Sequence, residues 1–217
     1  VTIPHKIAAR EFVDHLDEEA VRIGAINTVV NRDGELAGYN TDGRGAVMAL
    51  CRHLDPAGRP VALIGAGGAA RAIGYALKAA GARVTIFNRS AARGRQLARD
   101  LEVGFRPLGE FEAARCRVLI NTTPVGMTPR VGRMPVEIAG LPASAVVMDI
   151  VYNPLETELL RQARRRGCTV VSGVSMFVFQ GALQFELWTG HRAPVAVMRQ
   201  AVLDVLRHPA TYPEGLS

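Results

Sequence analysis

Short apolar runs alternating with helix-like stretches, a glycine-rich turn joining one run to an Ala-rich segment, and polar clusters at the run ends predict an α/β fold. The expected architecture is a doubly wound parallel sheet preceded by part of a smaller α/β domain. After Pro4 the chain reads as helical to about His15, and Asp17-Glu18-Glu19 opens a second short helix ending near Gly24. Ala25 to Asn31 is rich in strand formers and passes through Arg32-Asp33-Gly34 to a short strand ending at Gly38, a hairpin pattern. Asp42 to Leu54 reads as a helix and Asp55-Pro56-Ala57-Gly58 as a linker. Strands are then expected at 61–64, 83–87, 117–120, 145–149 and 169–171, alternating with helices at 68–80, 90–101 and 156–166. Two helices, Val174 to Trp188 and Ala193 to Arg207, close the chain, and the Pro-rich tail from His208 is expected to be loose. Domain limits follow at 1–43, 44–173 and 174–217, the last helices packing back on the first unit.

The turn after the strand at 61–64 is the most informative segment. Val61 to Ile64 run straight into Gly65-Ala66-Gly67-Gly68-Ala69-Ala70 at the mouth of a helix, which is the dinucleotide fingerprint in a strand-turn-helix setting. Gly65 permits the tight turn, Gly67 lets a pyrophosphate approach the backbone, and Ala70 is small enough for close helix-on-strand packing. The helix amides then face the phosphates. Glycine-rich turns also serve as plain packing devices, but here the second strand supplies a further signal. It ends at Asn88-Arg89-Ser90, with Arg93 one turn on, where an NAD site would place a carboxylate on the ribose 2′-hydroxyl. A carboxylate would repel a 2′-phosphate, whereas a guanidinium and a hydroxyl bind it, so the pocket reads as one for NADP.

Bulk properties narrow the classes. The chain has 217 residues with 48% hydrophobic content, enough for a sizeable core. Cys51, Cys116 and Cys168 are too far apart for a CxxC pair, which points to small buried thiols in a reducing cytoplasm and to no metal site. No apolar run approaches the roughly 18 residues of a membrane span. The net charge of +6 comes from scattered arginines. Their one cluster, Arg164-Arg165-Arg166, ends an expected helix and offsets its dipole, so small anionic ligands account for the charge better than nucleic acid or a membrane. Only two of the 26 basic residues, Lys6 and Lys78, are lysines. Lys78 falls late in a helix and reads as solvated surface. Lys6, in Thr2-Ile3-Pro4-His5-Lys6, suggests a compact donor able to release a proton, which arginine is not. The adjacent His5 reads as a loop or packing residue, and Phe177, Phe179, Phe185 and Trp188 as core contacts of a closing helix.

Six polar clusters fall in order along the chain: Thr2 to Lys6, Gly24-Ala25-Ile26-Asn27-Thr28, Gly38-Tyr39-Asn40-Thr41-Asp42-Gly43, Asn121-Thr122-Thr123-Pro124-Val125-Gly126-Met127, Asp149-Ile150-Val151-Tyr152-Asn153-Pro154, and Gly173 to Gly181. Any one could be turn chemistry. Together they resemble the shikimate dehydrogenases, which reduce 3-dehydroshikimate to shikimate with NADPH in aromatic amino-acid biosynthesis. The resemblance implies Lys6 and Asp42 as a catalytic pair, with Thr2, Asn27, Tyr152 and Gln180 joining them around the substrate. It implies a cofactor on Gly65, Ala66, Gly67, Gly68, Ala69, Asn88, Arg89, Ser90 and Arg93, with Thr123, Ile150, Gly173 and Met176 near the nicotinamide and Glu18 reaching it from the other domain. It further implies a small-molecule substrate and a monomer or homodimer.

Elementary chemistry agrees with that assignment. Hydride reduction of a ketone leaves a developing alkoxide, and Lys6 could both stabilise that charge and supply the proton, while Asp42 orients the ammonium. The family's substrate domain opens with strand-helix units and a Ser-x-Ser-Pro loop before the Thr-x-Pro-x-Lys loop. This chain begins at the latter, so two such units, about 60 residues at about 30 per unit, are expected upstream. Three competing functions stay open at this level: a quinate/shikimate dehydrogenase using NAD, an enzyme for an amino-substituted analogue, and a catalytically silent NADP-binding module.

Overall fold

The computed structural model describes residues 1–2 and 5–207. The tail from His208 lies outside them. A three-stranded sheet comes first. It is built from β1 (His15–Leu16), β2 (Thr28–Arg32) and β3 (Glu35–Tyr39) in the order β1-β3-β2, with α1 (Glu18–Ile23) between β1 and β2. The helix expected up to His15 is only a 3-10 turn, Ala8–Phe12. Past it the chain extends, Asp14 exchanges hydrogen bonds with Leu36 through its backbone N–H and its carboxylate, and β1 pairs parallel to β3. Tertiary pairing overrides the local helical preference there. Asp17 caps α1 by accepting from the Ala20 N–H at 2.7 Å, and Gly24 ends it at φ +71°. The β2–β3 hairpin turns on Asp33 and Gly34, both at positive φ, as a two-residue turn matched to strand twist requires.

α2 (Asp42–Cys51) leads into the larger unit: β4 (Pro60–Ile64), α3 (Gly68–Ala79), β5 (Arg83–Asn88), α4 (Ala91–Leu101), β6 (Gly104–Pro107), β7 (Val118–Asn121), β8 (Val146–Asp149), α5 (Glu158–Arg165) and β9 (Thr169–Val171). Its six strands run parallel in the order β6-β5-β4-β7-β8-β9. The chain therefore winds outward from β4 to one edge, returns, and winds outward from β7 to the other, leaving a crevice at the carboxyl ends of β4 and β7. Leu63, Ile64, Ile86, Leu119, Ile120 and Met148 are fully buried along the central strands, as expected of a sheet covered on both faces. The sequence reading missed β6. This short edge strand begins with glycine and ends with proline, a composition compatible with strand pairing only at an edge.

α6 (Gly173–Thr189) and α7 (Val195–Arg207) complete the described chain. α2 lies against both α3 and α6, and two glycines allow it. A Cβ on Gly43 would stand 2.3 Å from the Ala72 carbonyl oxygen, and one on Gly45 would stand 2.7 Å from the Gln180 backbone nitrogen. α6 also reaches the small sheet: Trp188 Nε1 donates to the Val29 carbonyl at 3.0 Å. The four aromatic residues expected in the core divide accordingly. Phe179 packs against it and Phe185 is half-buried, but Phe177 is 38% exposed and Trp188 57%, because α6 sets Phe177 beside Tyr152 and its far end toward the small sheet. Cys51 is likewise exposed, whereas Cys116 and Cys168 are buried as expected. Among the described residues no helix is long and apolar enough to cross a membrane.

Candidate active site

The fold gathers Lys6, Asn27, Asp42 and Gln180 from four separate elements. Lys6 leaves the first turn with its carbonyl accepting from the Ile26 N–H at 2.8 Å, which ties it to the segment that carries Asn27 into β2. Its Nζ donates to Asp42 Oδ2 at 2.5 Å, an ion pair with side-chain exposures of 24% and 10%. Asp42 sits in the first turn of α2, where its backbone N–H is held by Asn40 Oδ1 at 3.0 Å. Asn27 is the hub. Its Nδ2 lies 2.9 Å from Asp42 Oδ1, 2.9 Å from Thr41 Oγ1 and 3.4 Å from Gln180 Oε1, and its Oδ1 accepts from Thr28 Oγ1 and the Thr41 N–H. Gln180 Nε2 donates to the Phe177 carbonyl one turn back. Asp42 thus keeps one oxygen for the ammonium and one for Asn27, which fixes the carboxylate rotamer and, through it, the position of Nζ.

Thr28, Asn40 and Thr41 were missed as members of this network although they stand in the quoted clusters. They are buried, with only 1%, 4% and 3% of their surface exposed. A run of short polar residues placed where a strand enters a helix was the available signal, since a buried hydroxyl or amide demands a partner.

At the glycine turn Gly65 adopts φ +116°, and a Cβ there would stand 2.6 Å from Thr122 Oγ1. That hydroxyl donates to the Ile64 carbonyl, so the loops after β4 and β7 abut at the crevice. Gly67 is the N-cap of α3 with no side-chain cap, and a Cβ on Gly67 or Gly68 would meet nothing within 4 Å. The first-turn amides are therefore open to a ligand, and space exists for a pyrophosphate against bare backbone. Across the turn Asn88 Nδ2 donates to the Ser90 carbonyl at 2.9 Å, and Ser90 caps α4. Arg89 and Arg93 are exposed beside it, and neither takes part in an ion pair among the described residues. The residues present therefore fit a dinucleotide carrying a 2′-phosphate.

On the far side of the crevice Thr123 follows β7 and Ile150 follows β8, while Gly173 opens α6. A Cβ on Gly173 would stand 2.5 Å from the Ile150 carbonyl oxygen and 2.4 Å from that of Val151, so only glycine lets the helix meet that loop. Met176 is 8% exposed and shares a core with residues against which Ala66 and Ile150 pack. Tyr152 is half exposed with its ring 4.8 Å from that of Phe177. α6 thus presents Gly173, Met176, Phe177 and Gln180 along one stretch that joins the glycine turn to the Lys6–Asp42 pair.

Thr2 is exposed, its carbonyl accepts from the His5 N–H, and the Val1 nitrogen before it lies 2.7 Å from the Asn27 carbonyl, beside the site; Glu18 stands apart. Glu18 pairs with Arg22 and lines a hollow of about 410 Å³ with Arg44, Val47, Tyr75 and Ala79, against the second half of α3 and away from its glycine turn. Among the described residues no three His, Cys, Asp or Glu side chains are grouped as a metal site would require.

Comparison with known proteins accords with this layout. Family descriptions match residues 1–29 (shikimate dehydrogenase substrate binding domain), 49–154 (shikimate / quinate 5-dehydrogenase) and 173–203 (shikimate 5′-dehydrogenase C-terminal domain). The chain is 45% identical over 215 residues to the shikimate dehydrogenase (NADP(+)) of Geobacillus kaustophilus, covering 95% of this chain and 78% of that one. Among solved structures it is similar to shikimate 5-dehydrogenase from Thermus thermophilus in complex with NADP(H) and shikimate, with a TM-score of 0.88 and 38% identity over 94% of this chain and 77% of that chain. It is also similar to quinate dehydrogenase from Corynebacterium glutamicum in complex with NAD, with a TM-score of 0.85 and 32% identity over 94% and 76%.

Proposed function

The chain belongs to the shikimate dehydrogenase family, and from that premise we propose that it reduces 3-dehydroshikimate to shikimate with NADPH, reversibly, through Lys6 and Asp42. The observation that carries this reading is the 2.5 Å Lys6–Asp42 pair, locked by Asn27 at the start of α2, the helix that also lies against α3 behind the open glycine turn. NADPH, held by residues 65–69, 88–90 and 93, would supply the hydride. The chain's own residues handle the oxygen. In ketone reduction Lys6 Nζ donates a proton to the carbonyl oxygen as negative charge develops there, and in the reverse direction it takes that proton back. Asp42 holds the ammonium in place.

Asn27 and Gln180 offer both donors and acceptors, which suits neighbouring ring hydroxyls that donate and accept in turn. Tyr152, resting on Phe177, closes the opposite wall. The division at 1–43, 44–173 and 174–217 belongs to the same reading; the return of the last helices to the first unit is supported by Trp188 on the Val29 carbonyl, while α2 (Asp42–Cys51) runs across the first limit as one continuous helix. A cytoplasmic location and a monomeric or homodimeric state belong to it too, the free cysteines suiting a reducing compartment.

The competing activity is oxidation of quinate with NAD. It is disfavoured by Asn88-Arg89-Ser90, which puts no carboxylate where a 2′-hydroxyl would be read. Initial rates with shikimate or quinate, each with NADP or NAD, decide between them. The highest kcat/KM is expected for shikimate with NADP; a higher value for quinate with NAD would transfer the chain to the other activity.

A further inference from the structure

Asp149 is a fully buried carboxylate that the reaction as described does not use. It ends β8 directly opposite Asn121, the last residue of β7 and its register partner. Its Oδ1 accepts from Asn121 Nδ2 at 2.9 Å and from the Val151 N–H at 3.1 Å, and its Oδ2 accepts from Thr157 Oγ1 at 2.7 Å. Asn121, also fully buried, passes the constraint on: its Oδ1 accepts from the Thr123 N–H at 3.0 Å and from Thr123 Oγ1 at 2.7 Å. The Ile150 N–H meanwhile donates to the Asn121 carbonyl at 3.1 Å. One carboxylate therefore fixes the first residues of both strand-end loops, and Gly173 closes on the Ile150–Val151 carbonyls from the other side.

We propose that Asp149 is a positioning residue for hydride transfer: in its ionised form it holds Thr123 and Ile150, through Asn121 and the Val151 N–H, where the nicotinamide half of the cofactor must lie. This rests on the dehydrogenase reading above. The three groups facing the carboxylate are an amide, a hydroxyl and a backbone N–H, all donors, and no cation accompanies them among the described residues. Burial pushes the carboxyl up to about 6 even though all three hydrogen bonds favour the charged form. A folded value above the ordinary one means that the folded state binds the extra proton more tightly, so ionising Asp149 costs stability as pH rises through that window. A group kept charged at that cost, in front of three donors, is suited to orienting loops more than to holding the fold together. Protonation weakens that hold: the proton settles on Oδ2, where the Thr157 hydroxyl can turn to accept it, and Oδ1 is left as a neutral carbonyl, a weaker acceptor for Asn121 and the Val151 N–H than a carboxylate oxygen.

The test compares wild type with Asp149→Asn, which preserves size but replaces the charged acceptor facing Asn121 and the Val151 N–H by a neutral amide oxygen, its NH2 being able to donate to the Thr157 hydroxyl. Wild-type kcat for 3-dehydroshikimate is expected to rise as pH climbs through about 6 and then level. Asp149→Asn is expected to lose this acid limb and to run about a hundredfold slower on the plateau. Its affinity for 2′,5′-ADP, which lacks the nicotinamide half, should match that of wild type. If the variant keeps wild-type kcat, shows the same acid limb, or loses 2′,5′-ADP affinity in step with kcat, the proposal is wrong. Should Asp149→Asn not fold, Asn121→Ser decides, because it leaves the Asp149–Thr157 bond but cuts the link to Thr123; unchanged kcat in that variant overturns the proposal equally. A failed dehydrogenase reading looks different: the wild type itself would give no turnover, and the positioning role would fall with it.

Discussion

Lys6→Ala is expected to lower kcat by about 10²–10⁴-fold with a modest change in KM, the range for removing a positioned general acid. The reason lies in when the charge appears. The ground-state ketone carries no full negative charge for Lys6 to bind, whereas the developing alkoxide does, so the interaction is realised mainly in the transition state. Lys6→Arg should not restore activity. Arginine keeps a positive charge but does not readily release a proton, and its planar fork does not fit an ammonium held at 2.5 Å from one carboxylate oxygen with Asn27 on the other. Steady-state kinetics of both variants settle the role, and near-normal kcat for Lys6→Arg would remove the general-acid assignment.

Arg89→Ala is expected to weaken NADPH binding by about 1.5–3 kcal/mol, on the order of 10- to 150-fold, and to leave NADH binding nearly unchanged. Arg89 stands exposed at a turn already fixed by the Asn88–Ser90 hydrogen bond and the Ser90 cap, so its removal takes away a ligand contact without loosening the turn. Titration of both reduced cofactors checks this. Equal losses for the two would mean that Arg89 supports the pocket as a whole and does not read the 2′-phosphate.

The large sheet was legible in the sequence because its central strands are continuous apolar runs and its glycine turn has one physical purpose. β1 and β6 were not, since each exists only by virtue of the strand beside it: two residues aligned on β3, and an edge strand bounded by glycine and proline. Lys6 stood out by the scarcity of lysines, and Asn27, Asp42 and Gln180 were named from resemblance, but the role of Asn27 as hub depends on four residues, Thr28, Thr41, Asp42 and Gln180, converging on one amide, which no linear pattern shows. Glu18 is the opposite case: the resemblance alone set it on the cofactor, while its exposed carboxylate pairs with Arg22 beside the hollow at the outer half of α3. Asp149 and Asn121 each end an apolar run with a polar residue. That was a readable signal, but its meaning needed the register of β7 against β8.

At the centre of this reading stands the Lys6–Asp42 pair, framed by Asn27 and Gln180, as the place where shikimate is held for hydride transfer. A crystal structure of the protein with NADP and shikimate tests it most directly. One ring hydroxyl is expected within hydrogen-bond reach of both Lys6 Nζ and an Asp42 oxygen, a second on Asn27 or Gln180, and the 2′-phosphate on Arg89. Shikimate bound elsewhere, with the Lys6–Asp42 pair unengaged, would contradict it.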